Sequence, residues 1–280
     1  MKILVTGATG FVGKKLVSEL VNRGHKISIL SRDSESAQRR MPIECEIHRW
    51  EPELYPPTSQ AFDDVSAVIH LAGANIADGR WTNSRKKSIR DSRVLSTRNL
   101  VSTLKSLQNP PKIFLSASAI GFYGNQKLVE LYEDLEPGSG FLAEVCKEWE
   151  HEAFVAKDHN IRTIALRIGL VLGYEGGALK KMLPPFWAGL GGNLSDGSQW
   201  MSWIHMKDLV SMIIHSIENK SVEGAYNAVS PEPVTNKIFT KCLAKILRRP
   251  AFFPVPKFVL KIILGEMSDL LLGSLKVSST

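Results

Sequence analysis

Apolar positions along the chain fall into short runs separated by stretches of helical spacing. The first run, Ile3-Leu4-Val5, has the length of a buried strand, and behind it Phe11, Leu16, Leu20 and Val21 recur near one face of a 3.6-residue period. Gly24 stands where a helix stops, and positions 26–30 alternate as a second strand does. The strand-helix-strand unit then repeats. Ala67-Val68-Ile69-His70-Leu71-Ala72-Gly73 reads as a buried strand ending in small residues. Ile89, Val94, Leu95, Leu100, Leu104 and Leu107 mark the buried side of a long helix; 112–118 make the next strand, 140–150 the next helix, and 162–173 alternate and then run apolar. A short strand is expected at 46–49, inside an irregular stretch 41–64. From Tyr174 the glycine and proline content rises (Gly176-Gly177, Pro184-Pro185, Gly189, Gly191-Gly192), which predicts loops lying over the strand ends. Positions 226–229 return as a strand, Thr235 or Asn236 caps a helix bearing Phe239, Leu243 and Leu247, and an amphipathic helix runs into Leu264. Such alternation predicts an α/β fold with a doubly wound parallel sheet.

Between the first strand and the first helix lies Thr6-Gly7-Ala8-Thr9-Gly10-Phe11-Val12-Gly13. Three glycines are no more than a turn when they stand alone. In this context glycine at 7 permits the tight turn, glycine at 10 lets backbone amides approach a pyrophosphate, and glycine at 13 lets the helix pack closely on the strand. The anion would then sit on the helix N-terminus. The G-x-x-G-x-x-G spacing resembles the short-chain dehydrogenase/reductase superfamily, especially its extended, epimerase-like branch. The resemblance implies a Rossmann-type nucleotide-binding domain over 1–173 and a smaller C-terminal substrate lobe within 174–280. Cofactor contacts are expected from Gly7, Thr9, Gly10, Phe11, Val12 and Gly13, and from Leu71, Ala72 and Gly73 against the adenosine side. At the end of the second strand an acidic residue would chelate the ribose of NAD, but Ser31 stands there and Arg32 follows, so NADP(H) is the expected cofactor. The competing reading makes Arg32 a surface partner of Asp33.

Composition narrows the setting without changing this picture. With 280 residues and 44% hydrophobic content, the chain can bury one large α/β core, with or without an appendage. Cys45, Cys146 and Cys242 are far apart and share no ligand spacing, so neither a disulfide framework nor a metal site is expected, and the cytoplasm fits best. No signal pattern opens the chain, and the most apolar late stretch, 258–275, is broken by Lys261, Glu266 and Asp269. The net charge of +7 lacks aromatic interleaving in its basic clusters, which reads as a solvated face rather than a specific nucleic-acid surface. A small-molecule substrate, no membrane, and a monomer or homodimer are expected.

The fifth strand ends Ser116-Ala117-Ser118 and is followed by Tyr123-Gly124, resembling the S-x-S and Y-G of extended reductases. That resemblance makes Ser118 the hydrogen-bond partner of the substrate oxygen; the alternative is a serine capping a turn. The superfamily carries Y-x-x-x-K on the next helix, where lysine lowers the phenol's pKa and binds cofactor ribose. Here the pair falls on Ala143 and Lys147 or on Leu142 and Cys146, and neither register supplies a tyrosine. The first is preferred because it keeps Lys147. A literal Y-x-x-x-K at Tyr123 to Lys127 reads as accidental, yet Tyr123 is the best-placed substitute acid. Ser118, Tyr123 and Lys147 are thus the candidate catalytic set. Arg93 stands where the branch's N-V-x-G-T-x-N-L has its first asparagine, favouring an anionic substrate. His70 reads as a core residue, and His205 with Asp208 as a helix-start pair. Trp200 and Trp203 serve either core packing or ring stacking.

Arg80-Trp81, Trp149-Glu150, Trp203-Ile204-His205 and the tail together resemble the YfcH-type epimerase-family proteins, an atypical reductase group. The resemblance implies a short further stretch beyond Ser274, so that 276–280 reads as cut short. It implies an NADP(H)-dependent oxidoreductase or epimerase-like enzyme on a small, anionic or sugar-nucleotide, substrate. The rival is an NADP(H)-binding sensor or scaffold that has lost catalysis.

Overall fold

The computed structural model describes residues 1–41, 45–126 and 129–279. Seven strands form one sheet: β1 Lys2–Thr6, β2 Lys26–Ser31, β3 Glu46–Arg49, β4 Val65–His70, β5 Ile113–Ala119, β6 Arg162–Ile168 and β7 Gly224–Ala228. All are parallel and lie in the order β3-β2-β1-β4-β5-β6-β7. The order reverses between β1 and β4, and such a switch point opens a crevice at the carboxyl ends of the strands.

The helices that position the site are α1 Phe11–Asn22, α2 Ser34–Arg40, α3 Asn83–Ser106, α4 Phe141–Phe154, α5 Gly177–Trp187, α6 Met206–Glu218, α7 Asn236–Leu247 and α8 Lys257–Leu264. Period-2 side-chain alternation explains why the first strands are apolar throughout. Ile3, Val5, Ile27, Ile29 and Ile69 pack with Leu16 and Leu20 of α1 and Leu209, Ile213 and Ile217 of α6. Leu4, Val68 and Phe114 face the other way, onto Leu100, Val101 and Leu104 of α3 and Ala153 of α4. Each such leucine or isoleucine contributes about 1.5–3 kcal/mol of transfer free energy.

Three features go beyond the sequence reading. Part of the chain after residue 173 returns to the central sheet as α6 and β7: Leu209, Ile213, Ile217 and Ala228 lie in the core beneath α1. The proline-rich stretch expected as loop is in part a helix, α5, with Pro184 and Pro185 inside it. Burial of Leu183 and Phe186 against Leu243 of α7 outweighs the prolines' lost donors. Finally, α2 starts directly after β2, its N-terminus capped by Asp33, whose carboxylate accepts from the Ser36 amide at 2.8 Å. Of the literal Y-x-x-x-K string, Lys127 lies outside the described residues, as does Thr280 of the tail.

His70 shows what the interior requires of a polar side chain. It is fully buried, with Nδ1 2.7 Å from Thr6 Oγ1 and Nε2 3.3 Å from Ser96 Oγ. Ser96 gives its own proton to backbone carbonyls of α3, so the network places the imidazole proton on Nε2 and leaves Nδ1 accepting from Thr6. Burial drives its pKa from 6.5 down to about 3. It is a neutral core residue, as the sequence suggests.

The sign of its pH effect follows: below pH 6.5 the unfolded chain takes a proton that the folded chain refuses until about pH 3. Stability therefore falls across that window as pH drops, by up to about 1.4 kcal/mol per pH unit from this one site. Denaturant titrations of His70→Gln at several pH values should show a shallower acid limb by about one proton; an unchanged slope would contradict this assignment.

Candidate functional site

The crevice at the β1–β4 switch is built by close backbone approach. Gly7 has φ +69°, and a Cβ there would lie 2.7 Å from the Leu71 carbonyl. A Cβ on Gly13 would lie 2.2 Å from the Gly7 oxygen, so only glycine lets α1 start this near β1. Thr6 Oγ1 accepts from the Ala72 amide at 3.2 Å and ties the end of β1 to the segment after β4. The N-termini of α2, α3, α6 and α7 are capped by the side chains of Asp33, Thr82, His205 and Thr235. Gly10 precedes α1 with no side-chain cap, leaving its first-turn amides and the positive end of the helix dipole to an anion.

The resulting cleft has a volume of about 430 Å³ and is lined by Thr6, Gly7, Thr9, Gly10, Ser31, Arg32, Arg40, Leu71, Ala72, Gly73 and Ser92, among others. Of the expected cofactor residues, Gly7, Thr9, Gly10, Ser31, Arg32, Leu71, Ala72 and Gly73 line it directly. Phe11, Val12 and Gly13 form the first turn of α1 above it. The Phe11 ring is covered by the segment leading into α5: a Cβ on Gly176 would come within 2.6 Å of it. An uncapped helix start, a glycine cradle and a cation-lined far end fit a dinucleotide. Asp33 also lines the cleft, but its carboxylate is engaged in capping α2. Arg40, not identified in the sequence, lines the same end and donates to the Thr9 carbonyl at 3.1 Å. The signal for it was present, since Asp33 and Glu35 followed by Arg39-Arg40 carry the charge order of a short helix.

The expected catalytic residues separate. Ser118, 3% exposed at the end of β5, donates to Glu150 Oε1 of α4 at 2.6 Å. Glu150 is held by Nε and Nη2 of Arg167 on β6, at 2.9 and 3.0 Å. Arg167 also donates to the Tyr123 hydroxyl at 2.9 Å, and that hydroxyl donates to Asn227 Oδ1 of β7 at 2.7 Å. Burial opposes the charge on Arg167, but the Glu150 carboxylate outweighs it and leaves the pKa above its ordinary value. Burial raises the Tyr123 pKa, more than Arg167 lowers it. The Tyr123 side chain is 1% exposed and bonded on both sides, which links it to the neighbouring strands. The buried arc of α4 centres on Cys146, Trp149 and Ala153, and Lys147 lies beyond its edge, exposed. Leu142 and Cys146 lie toward the turn after β5, 3.3 and 3.8 Å from where a Gly121 Cβ would stand, and Ala143 of the preferred register is buried as well. Cys146 is no acid, its thiol pushed up to about 12 by burial and the nearby Glu150.

His205 caps α6, its Nδ1 accepting from the Lys207 amide at 3.3 Å, so its role is structural. Trp203 Nε1 donates to Glu232 O at 3.2 Å and Trp200 stacks under Lys276, and neither lines the cleft.

A doubly wound parallel sheet with a glycine-cradled anion site at its switch point defines a Rossmann protein of the extended short-chain reductase type. The chain belongs to the NAD dependent epimerase/dehydratase family, whose model matches residues 3–229. Residues 255–280 match a further family, a domain of unknown function, DUF1731. The chain is 37% identical over 286 residues to the Arabidopsis thaliana "Epimerase family protein SDR39U1 homolog, chloroplastic", covering 99% of this chain and 80% of that one. It is 37% identical over 273 residues to the Bacillus subtilis epimerase family protein YfhF, covering 97% and 88%. The crystal structure of human epimerase family protein SDR39U1 (isoform 2) with NADPH superposes with a TM-score of 0.88 at 31% identity, covering 99% of this chain and 91% of that one. Among the described residues, no helix is long and apolar enough to cross a membrane.

Tyr123→Phe leaves Asn227 and Arg167 each short of a buried partner and should cost about 1–3 kcal/mol of stability. Nucleotide affinity should stay unchanged, because Tyr123 is remote from the cradle. Gly13→Ala should do the reverse at the site, abolishing nucleotide binding by forcing α1 away from β1. Calorimetric titration beside denaturant unfolding checks both, and an affinity loss in Tyr123→Phe larger than its stability loss would contradict the placement.

Proposed function

We propose that this protein binds NADP(H) in the switch-point cleft and acts as an oxidoreductase or epimerase-like enzyme on a small anionic or sugar-nucleotide substrate. The observation that carries the cofactor choice is the far end of the cleft. Arg32 and Arg40 line it, Ser31 stands at the strand end, and of the two carboxylates in the lining, Asp33 and Glu53, Asp33 is spent on a helix cap. A 2′-phosphate would meet two guanidinium groups there. The relative SDR39U1, solved with NADPH, supports the same choice.

When bound, the nicotinamide supplies or accepts a hydride. The chain's own part is to hold a substrate oxygen and to move its proton. Ser118 Oγ, already bonded to Glu150, takes a proton from a substrate hydroxyl while passing its own to the carboxylate; reduction runs the two transfers in reverse. Arg167 holds the Glu150 carboxylate in place beside Ser118, where it can take that proton. One observation favours a second reading, an NADP(H)-binding sensor or scaffold: Leu142 and Cys146 occupy the face where the family pair would stand.

Arg32→Ala should erase most of the preference for NADPH over NADH, a charge-assisted contact worth about 1.5–3 kcal/mol, or roughly tenfold or more in affinity. Equal or tighter NADH binding by the unaltered protein would refute the cofactor choice. Ser118→Ala should reduce turnover by about 10²-fold or more and leave NADPH affinity nearly unchanged. Tight NADPH binding with no turnover across a screen of alcohols, carbonyl compounds and sugar nucleotides would establish the sensor instead.

A further inference from the structure

The basic residues of α3 divide into two groups. Lys86 pairs with Glu266, Lys87 with Asp91, Arg90 with Asp91 and Glu148, and Arg98 with Glu152. Arg85 and Arg93, two helical turns apart on one face, have no carboxylate partner among the described residues. Arg93 makes one hydrogen bond, to the Ile89 carbonyl at 3.0 Å, and Arg85 donates to the Asn75 carbonyl while its buried Nε has no partner.

The surroundings of Arg93 are neutral or positive. Its guanidinium sits against Gly73, where a Cβ would come within 3.2 Å of Cζ and 3.3 Å of Nη2, and Gly73 lines the nucleotide cleft. Absence of a side chain at 73 thus lets the cleft reach the guanidinium. Below it lies the Trp149 ring at 5.3 Å, whose buried Nε1 also has no partner. Cys146, on the same side, carries a neutral thiol. Burial lowers the pKa of Arg93, Cys146 works against this, and the like charge of Arg85 lowers it further. Desolvating a guanidinium beside a second one costs several kcal/mol unless an anion answers them.

We propose that Arg93, with Arg85 beside it and Gly73 as the opening, binds an oxyanion of the substrate, a carboxylate or a phosphate, next to the nucleotide cleft. The proposal rests on the reading of that cleft as a dinucleotide site and adds the substrate's anchoring group. An oxyanion suits this place better than sugar hydroxyls, because the Asp78 carboxylate acts on Arg85 but no carboxylate among the described residues acts on Arg93, and hydroxyls would leave that charge uncompensated. Arg93 would then be a binding residue that faces the substrate, placed by a helix other than the one that usually carries the family's active-site cation.

The test uses the protein saturated with NADPH, so that the cofactor's own phosphates are already seated. Inorganic phosphate and malonate are titrated separately against sodium chloride at matched ionic strength, with thermal unfolding and NADPH fluorescence as readouts. At least one of the two should give a saturable stabilisation beyond chloride, and which one does so tells a phosphate anchor from a carboxylate anchor. Arg93→Met should weaken that response at least tenfold, Arg93→Lys should restore part of it, and Arg85→Met should weaken it less. No response beyond chloride, or an undiminished response in Arg93→Met, overturns the proposal. So does a tenfold loss of NADPH affinity in Arg93→Met, which would make the guanidinium a cofactor ligand. Failure of the unaltered protein to bind NADPH would count against the cofactor reading alone, and the same titrations on the nucleotide-free protein would still decide the role of Arg93.

Discussion

At the carboxyl end of the sheet, one buried ion pair determines what the neighbouring side chains can do. Glu150 and Arg167 have side chains each 6% exposed and meet through two hydrogen bonds, from Nε and Nη2 of the guanidinium. Removing either partner would leave a charge stranded in the interior, at about 3–5 kcal/mol. The pair also satisfies its remaining valences from four elements: Ser118 on β5, Tyr123 just after it, the Glu133 carbonyl, and Asn227 on β7 through the Tyr123 hydroxyl. Phe122 closes the assembly, its ring 3.5 Å from the guanidinium carbon. Strands β5, β6 and β7 and helix α4 are thereby held in one arrangement at the place where the site lies.

This constraint accounts for the unusual chemistry of α4. A helix that must turn Glu150 toward Arg167 also turns Cys146, Trp149 and Ala153 inward, since the four fall within one arc. The earlier positions that lie toward the turn after β5, Leu142 and Cys146, carry no ionisable group able to act near neutral pH. A phenol and an ammonium there would need solvation that a packed interface with Gly121 does not offer. Positive charge reaches the region from α3 instead, through Arg93, and proton-accepting capacity through the Ser118–Glu150 contact.

Much of the fold was legible because its signals are local. Strand lengths, the Gly7-Gly10-Gly13 loop and the helical face of Leu16 and Leu20 each follow from periods of two or 3.6 residues, and the comparisons place the chain in the family those motifs suggested. The site was legible where backbone makes it, at the glycine loop and at 71–73, and illegible where side chains from distant segments meet. Nothing in the sequence links Tyr123 to Asn227, 104 positions away, or Glu150 to Arg167 across a strand crossing. On α4, keeping Lys147 followed a motif, whereas the helix turns by burial, and a lysine one turn beyond Ala143 gains nothing by entering the core. Arg40 was missed because α2 was not identified; a seven-residue helix is too short for periodicity to show it.

The later part of the chain is attached to the region of the cleft by a few identifiable contacts. Arg80, in the segment after β4, donates to the carbonyls of Ile262 and Ile263 at the end of α8, and Lys86 of α3 pairs with Glu266 just beyond. Lys181 of α5 reaches back to Asp78 and the Ala77 carbonyl. Phe11, in the first turn of α1, lies beneath Gly173, Gly176 and Gly177. These are polar, surface-lying links apart from the last, so each is individually weak and separable. The Phe11 contact is different in kind. It joins the helix start that would hold an anion to the segment that begins the covering structure, so a ligand drawing on the α1 amides and the packing of residues 173–177 share one turn of helix.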